Sequence, residues 1–418
     1  MKDTTGTTKW YYLQVLLLSA FAGFFSCEDN ITDSNPGTCA DCEVNAASAA
    51  LEDVQAAVDS ADIGNIVFIP AGNVTWQSTL SIPDNKKITL KGSGRDQTII
   101  SSTESAPGTL ISAGYSGSRI TEIGFKLGND NGQGISCSGI GWRVDNCRFE
   151  NNISSIIEGV TAKGYPDNGG CPVGVVDHCE FINIRVLVIG DAGLMANKIW
   201  AEPLGLGTNN AVFVEDCIFN FTDFGNAIDA NYGGRYVFRY NELTDVYIEA
   251  HSVQGTHRAT RSWEIYGNTI QQKNRSMWAP FFLRGGTGVV FDNVIKGSWS
   301  SGPAIIVDNV RSFREAGEGG LCNGSSPWDG NEESNGYPAR DQIGRSTDQW
   351  LWTDENPYPP QEPDPFYQWN NTYNGGTISV YVHNDCGIHI KENRDYYNNA
   401  AKQGYQPFSY PHPYTYNN

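Results

Sequence analysis

The sequence predicts an all-β fold, a parallel β-helix, on three observations. A short strand recurs with its inward positions kept: Val144-Asp-Asn-Cys147-Arg-Phe149, Val176-Asp-His-Cys179-Glu-Phe181 and Val214-Glu-Asp-Cys217-Ile-Phe219. Looser copies follow at Phe238 to Leu243, Ile265 to Ile270 and Val290 to Ile295, with Asn241, Asn268 and Asn293 replacing the Cys, and an earlier copy runs from Ile120 to Phe125. The spacing between copies varies from 24 to 38 residues. A unit this short cannot bury its apolar side chains alone, so copies stack, with like residues of successive turns about 4.8 Å apart. The third observation is compositional, since 46 glycines and few helical periods suit a turn-rich β chain.

The elements follow in order. Lys2 and Lys9 precede an apolar run from Trp10 to Phe25 that is shorter than the roughly 20 residues a spanning helix needs, so residues 1–26 read as a secretion signal. Cys27 directly follows. Residues 27–48 are polar and small-residue-rich, as a tether would be. The β-helix domain is expected over 49–418, starting with an amphipathic helix (Leu51, Val54, Ala57, Val58, Ala61) that covers the open end of the first turn. The Asn column forms an internal amide ladder and the Cys column a small apolar stack. A second strand follows each repeat, at Val186 to Asp191, Ala227 to Asn231, Ile248 to His251, Phe282 to Arg284 and Ile305 to Asp308. Residues 312–365 lose the repeat and read as a long loop insertion; residues 394–418 read as a proline-rich terminal cap.

Asp53 to Val58, the strand Ile66 to Gly72, Ile88-Thr-Leu-Lys-Gly92-Ser-Gly94 and Thr98-Ile-Ile100 together resemble the cap and first turns of right-handed parallel β-helix proteins of the pectin-lyase-like superfamily. With the later repeats the resemblance covers about three quarters of the chain, and it implies a right-handed coil. That scaffold hosts lyases, hydrolases and non-catalytic adhesins, so activity has to come from a site. Val175-Val-Asp-His178 resembles the Trp-Ile-Asp-His strand of pectate lyases without its Trp, and Arg258-Ala-Thr-Arg261 resembles their Arg-x-Pro-x-x-Arg segment without its Pro. Cys27 resembles the lipidated cysteine of bacterial surface lipoproteins, the alternative being ordinary cleavage with Cys27 unmodified.

A formal net charge of −19 repels nucleic acid and anionic lipid, so no nucleic-acid partner is expected and membrane contact only through a lipid anchor. A monomer is expected. An acidic substrate would need local arginines or a bridging cation. Aligning the second strands by their apolar residues puts Asp229 and Glu249 in one column and Asp191, Asn231 and His251 in another. Asp191, Asp229, Asn231 and Glu249 offer hard oxygens to calcium; Arg258, Arg284 and Trp263 are expected to bind substrate. His251 and Arg261 compete as base, His having the pKa nearer working pH. The expectation is an extracellular or cell-surface protein that cleaves an acidic polysaccharide by calcium-assisted β-elimination. The alternatives are a glycoside hydrolase using the carboxylate pair and a non-catalytic glycan-binding or adhesion β-helix. His178 and His383 read as structural.

Overall fold

The computed structural model describes residues 42–102, 108–128, 132–151, 157–164, 170–190, 199–200, 202–252, 258–300, 304–308, 341–347, 361–383 and 390–416. The expectations for the leader, Cys27, Asp191 and most of the 312–365 insertion lie outside these residues. Among the described residues, no helix is long and apolar enough to cross a membrane.

Three long sheets form the faces of a parallel β-helix. Among the described residues sheet A has 12 strands from Glu43–Asn45 to Tyr396–Asn398, sheet B 11 from Gly72–Thr75, and sheet C 10 from Leu80–Ser81 to Ser379–Val382. Every pairing among the described residues is parallel except the hairpin that ends sheet B and a separate pair, Arg345–Thr347 with Gln361–Pro363. Glu43–Asn45 already pairs with Ile66–Phe68, so the solenoid starts within the stretch expected to be tether. The expected capping helix is present as Leu51–Ser60, burying Val54, Ala57 and Val58.

The recurring motif is two strands, not one. Val144–Asp145 ends a sheet A strand and Arg148–Asn151 begins sheet B; the corner is one residue with positive φ, Asn146 at 52°. The equivalent corners are Glu122, His178, Asp216, Tyr240, Gly267, Asp292 and Asn370, all with φ between 53° and 69°. This left-handed region admits Asn, Asp and Gly most readily, and a bend so brief leaves no gap in the apolar pattern. It also accounts for His178, which is exposed at its corner with Nδ1 2.9 Å from Asp177 Oδ2.

Inside the coil like residues stack. Phe125, Phe149, Phe181 and Phe219 lie in parallel, with centroids 5.0, 5.0 and 4.6 Å apart. Cys147, Cys179 and Cys217 are buried free thiols, each directed at a main-chain carbonyl of the preceding turn. Burial pushes the thiols of Cys147 and Cys179 well above the usual range, so they behave as small apolar groups. The amide ladder runs through Asn241, Asn268 and Asn293 and adds Asn371; Asn268 Nδ2 donates to Phe238 O (2.9 Å) and Asn293 Oδ1 (2.9 Å).

The C-terminal segment after Ala400 lies across the outward face of sheet A. Arg239 donates to the carbonyls of Phe408 (2.8 Å) and Ser409 (2.9 Å), and Tyr405 Oη donates to buried Glu264 (2.5 Å). His412 is fully buried: Nε2–H donates to Asn209 Oδ1 (2.6 Å) and Nδ1 accepts from Tyr414 N–H (3.1 Å).

Candidate functional site

On sheet C, Ile228 and Ile248 pair in register and point inward, so Asp229 and Glu249, the next residue of each strand, are outward neighbours on adjacent turns. Further out runs a second column, shown by the ladder bonds His251 N to Ala230 O, Arg284 N to Ala250 O, Asp308 N to Leu283 O and His383 N to Val307 O. Asn231, His251, Arg284, Asp308 and His383 therefore climb the same face on five successive turns. Ligand atoms of Asp229, Glu249 and His251 all lie within 4.8 Å of one another.

His251 Nδ1 is 3.1 Å from Asp229 Oδ2 and 2.9 Å from Arg284 Nη2. That nitrogen can donate to Asp229 or accept from Arg284, one at a time. Asp229 Oδ1 accepts from the N–H of Ala230 (2.8 Å), and its Oδ2 is 3.5 Å from Arg185 Nη1. Arg185 also binds Glu158 at 2.7 Å. Glu249 Oε1 accepts from Arg284 Nη2, while Oε2 accepts from Asn226 (2.5 Å) and from Tyr247 Oη (3.2 Å).

The two carboxylates are pushed apart. Burial and the charge of Asp229 raise Glu249 above the ordinary range, only partly opposed by Arg284. Burial would also raise Asp229, but His251, Arg185 and Arg284 outweigh it and lower Asp229 below its usual value. One neighbour is thus kept ionised and the other is biased toward holding a proton, the pattern that separates acid and base roles in carboxylate sites. Burial first, then the charges of Glu249 and Asp229, hold the Tyr247 phenol protonated.

Asp229, Glu249, His251 and Arg284 are brought together as the sequence predicts. Asn231 shares the column of His251, but its partner on the preceding turn is Ile189, not Asp191. The expected register was off by two residues, a slip that keeps every side chain on its face and so leaves the apolar pattern unchanged. Arg258 is fully buried, with Nε 2.6 Å from Asp341 Oδ2 and its guanidinium over the Trp200 ring. Arg261 stacks on the same ring and reaches Glu202 O at 3.4 Å. Burial and then Arg235 push its pKa down to about 9, the direction a base needs, yet only 3% of it meets solvent. Trp263 points into the coil, where its Nε1 donates to Gly285 O (3.1 Å), because inward parity on its strand belongs to Trp263 and Ile265. Neither Arg258 nor Trp263 lines the open face.

Sequence reasoning missed Arg185, Asn226, Tyr247 and the pair Asp308 and His383. His383 Nδ1 lies 3.1 Å from fully buried Asp308, with the Trp278 ring edge-on at 5.4 Å. The signal for Asp308 was present, as the last residue of a recognised second strand. His383 follows Ser379–Val382, a strand separated from the repeats by the long insertion.

Comparison with protein-family models and with curated sequences returns no match. Among solved structures the chain is similar to an alginate lyase from Paenibacillus sp. str. FPU-7, at 12% identity and TM-score 0.34 over 82% of this chain and 99% of that one. It is also similar to the catalytic domain of a GH87 alpha-1,3-glucanase in complex with tetrasaccharides (11%, TM-score 0.30, 88% and 69%) and to ORF18 of Geobacillus virus E2 (13%, TM-score 0.31, 73% and 65%). The β-helix assignment rests on the ladder registers themselves.

Proposed function

We propose that the outward face of sheet C cleaves an acidic extracellular polysaccharide by β-elimination. The observation that carries this reading is the cluster of Asp229, Glu249 and His251 beside two arginines, with the two carboxylates displaced in opposite pKa directions. Arg284 and Arg185 supply the positive charge that would hold a uronate carboxylate. His251, oriented through Nδ1 by Asp229, is the base that takes the proton from the carbon beside that carboxylate. The electron pair forms the new carbon–carbon double bond as the neighbouring carbon–oxygen bond breaks, and the leaving oxygen takes the proton held by Glu249.

Calcium fits this face in its donor chemistry. Asp229 offers a carboxylate, Glu249 a second one when it is ionised and the leaving oxygen takes its proton from water instead, and Asn231 Oδ1 is a buried carbonyl oxygen without a hydrogen-bond partner among the described residues. Bound there, calcium would acidify the same carbon-bound proton by drawing charge from the uronate. The glycoside hydrolase reading stays as the second one, favoured by the close approach of one proton-holding and one ionised carboxylate.

The test is to incubate the full chain with acidic and neutral polysaccharides, with calcium or with chelator, following unsaturated-product absorbance and reducing ends together. Absorbance that rises with reducing ends supports elimination. Reducing ends alone move the assignment to hydrolysis, and binding without product to adhesion. Export and lipidation at Cys27 are part of the same proposal, checked by loss of lipid labelling in Cys27→Ala.

A further inference from the structure

We infer that the uncovered part of sheet A is a second binding site, for an acidic oligosaccharide chain. On the outward face, Ile66, Thr89, Arg119, Arg143, Val175 and Phe213 form one column across six turns. From Arg143 onward this face is covered by the C-terminal segment, which ends against it through Arg143 Nη1 donating to Thr415 O (3.2 Å). Before that point the face opens into a groove of about 670 Å³, lined by Lys87, Lys91, Arg119, Arg143, Glu122 and Tyr414. This volume lies within the range of sites that hold small ligands.

Charge singles the groove out. A chain of net charge −19 gathers four cations here over three successive turns. Asp145 and Asp177 are fully buried and held by bidentate bonds from Arg119 and Arg143, and Glu122 lies 3.7 Å from Lys91 Nζ. Lys87 stands exposed at the rim, so four cations meet three acids and the groove carries one positive charge in excess. The same face already binds main-chain oxygens of the C-terminal segment, since Arg239 donates to the carbonyls of Phe408 and Ser409 and Arg143 to that of Thr415. Arg119 continues the Arg143 column one turn earlier, Lys91 lies a further turn back and two residues along its strand, and Lys87 precedes that strand; the turn repeat of about 4.8 Å is close to the length of one pyranose. The groove itself is independent of the sheet C site; the choice of a glycan over another polyanion rests on the reading of that site.

The experiment is affinity electrophoresis of the full chain, made with Glu249→Gln so that no polymer is consumed, through gels containing polygalacturonate, alginate or neutral laminarin. Lys87→Glu with Lys91→Glu should weaken retention on an acidic polymer about fivefold, leave laminarin mobility unchanged and leave Tm unchanged. Placed in the Glu249 chain, the same pair should leave cleavage of short acidic oligomers unaltered. Equal retention of parent and variant on both acidic polymers overturns the site, as does absence of retention for the parent. So does an equal loss from Lys126→Glu with Arg148→Glu on sheet B, which would make the effect one of net charge. Because Glu249→Gln leaves the groove intact, retained binding without cleavage, or cleavage without binding here, tells the two sites apart.

Discussion

His251 Nδ1 sits 3.1 Å from Asp229 Oδ2, on a face where the acid's own pKa is lowered. An ionised carboxylate at that distance fixes the ring and favours the tautomer that carries its proton on Nδ1. His251→Ala should therefore lower kcat by about 10²- to 10⁴-fold. Urea unfolding should change little, since the ring is partly exposed. Asp229→Asn should reduce kcat less and shift the pH profile, because it removes the ring's orienting charge but not the ring. A kcat within twofold of the parent in His251→Ala would remove His251 from the mechanism.

Calcium is tested without an activity assay. If Asp229, Glu249 and Asn231 hold it, calcium at 100 times its Kd stabilises the fold by about 2.7 kcal/mol, which for a chain of this size raises Tm by roughly 3 °C. The rise should vanish in Glu249→Gln and shrink in Asn231→Ala. Identical Tm with calcium and with chelator would leave the arginines as the only positive charge acting on substrate.

Much of this was legible in the sequence. The Cys and Asn columns announced the stack, because a residue repeated at one inward position meets its own kind on every turn. Asp229, Glu249, His251 and Arg284 were found because alternation on a strand is strict. Parity was not applied to Trp263, which is why an inward tryptophan was expected to bind substrate. The third sheet was hidden by corners of a single left-handed residue such as Asn146. Asp191 was misplaced because a two-residue slip costs no apolar contact. The burial of Arg258 depends on Asp341, 83 residues away in a stretch without repeats.

The amide ladder sets a stability prediction. Asn268 Oδ1 accepts from the N–H and side chain of Asn241 at 3.0 and 3.1 Å, and its own amide donates twice more. Asn268→Ala leaves several buried groups unpaired at roughly 1–3 kcal/mol each, so a loss of at least about 2 kcal/mol is expected from urea unfolding. Cys179→Ala, which removes one sulfur from an apolar stack, should cost less. Equal costs would mean that the ladder contributes packing alone.

His412 makes stability depend on pH. Burial, with the nearby Arg239 charge second, lowers its pKa from 6.5 to about 4; a second ring proton would also meet the N–H of Tyr414. The unfolded chain takes up that proton near pH 6.5 and the folded chain resists it until about pH 4. Stability from this group is thus complete above the unfolded pKa and is lost as pH falls through that window, by roughly 3 kcal/mol in all. His412→Gln keeps a donor for Asn209 and cannot titrate, so its urea midpoint should fall less between pH 7.5 and pH 4.5 than that of the parent. Parallel pH profiles for the two proteins would show that His412 is protonated in the fold, and that the C-terminal segment tolerates the charge against sheet A.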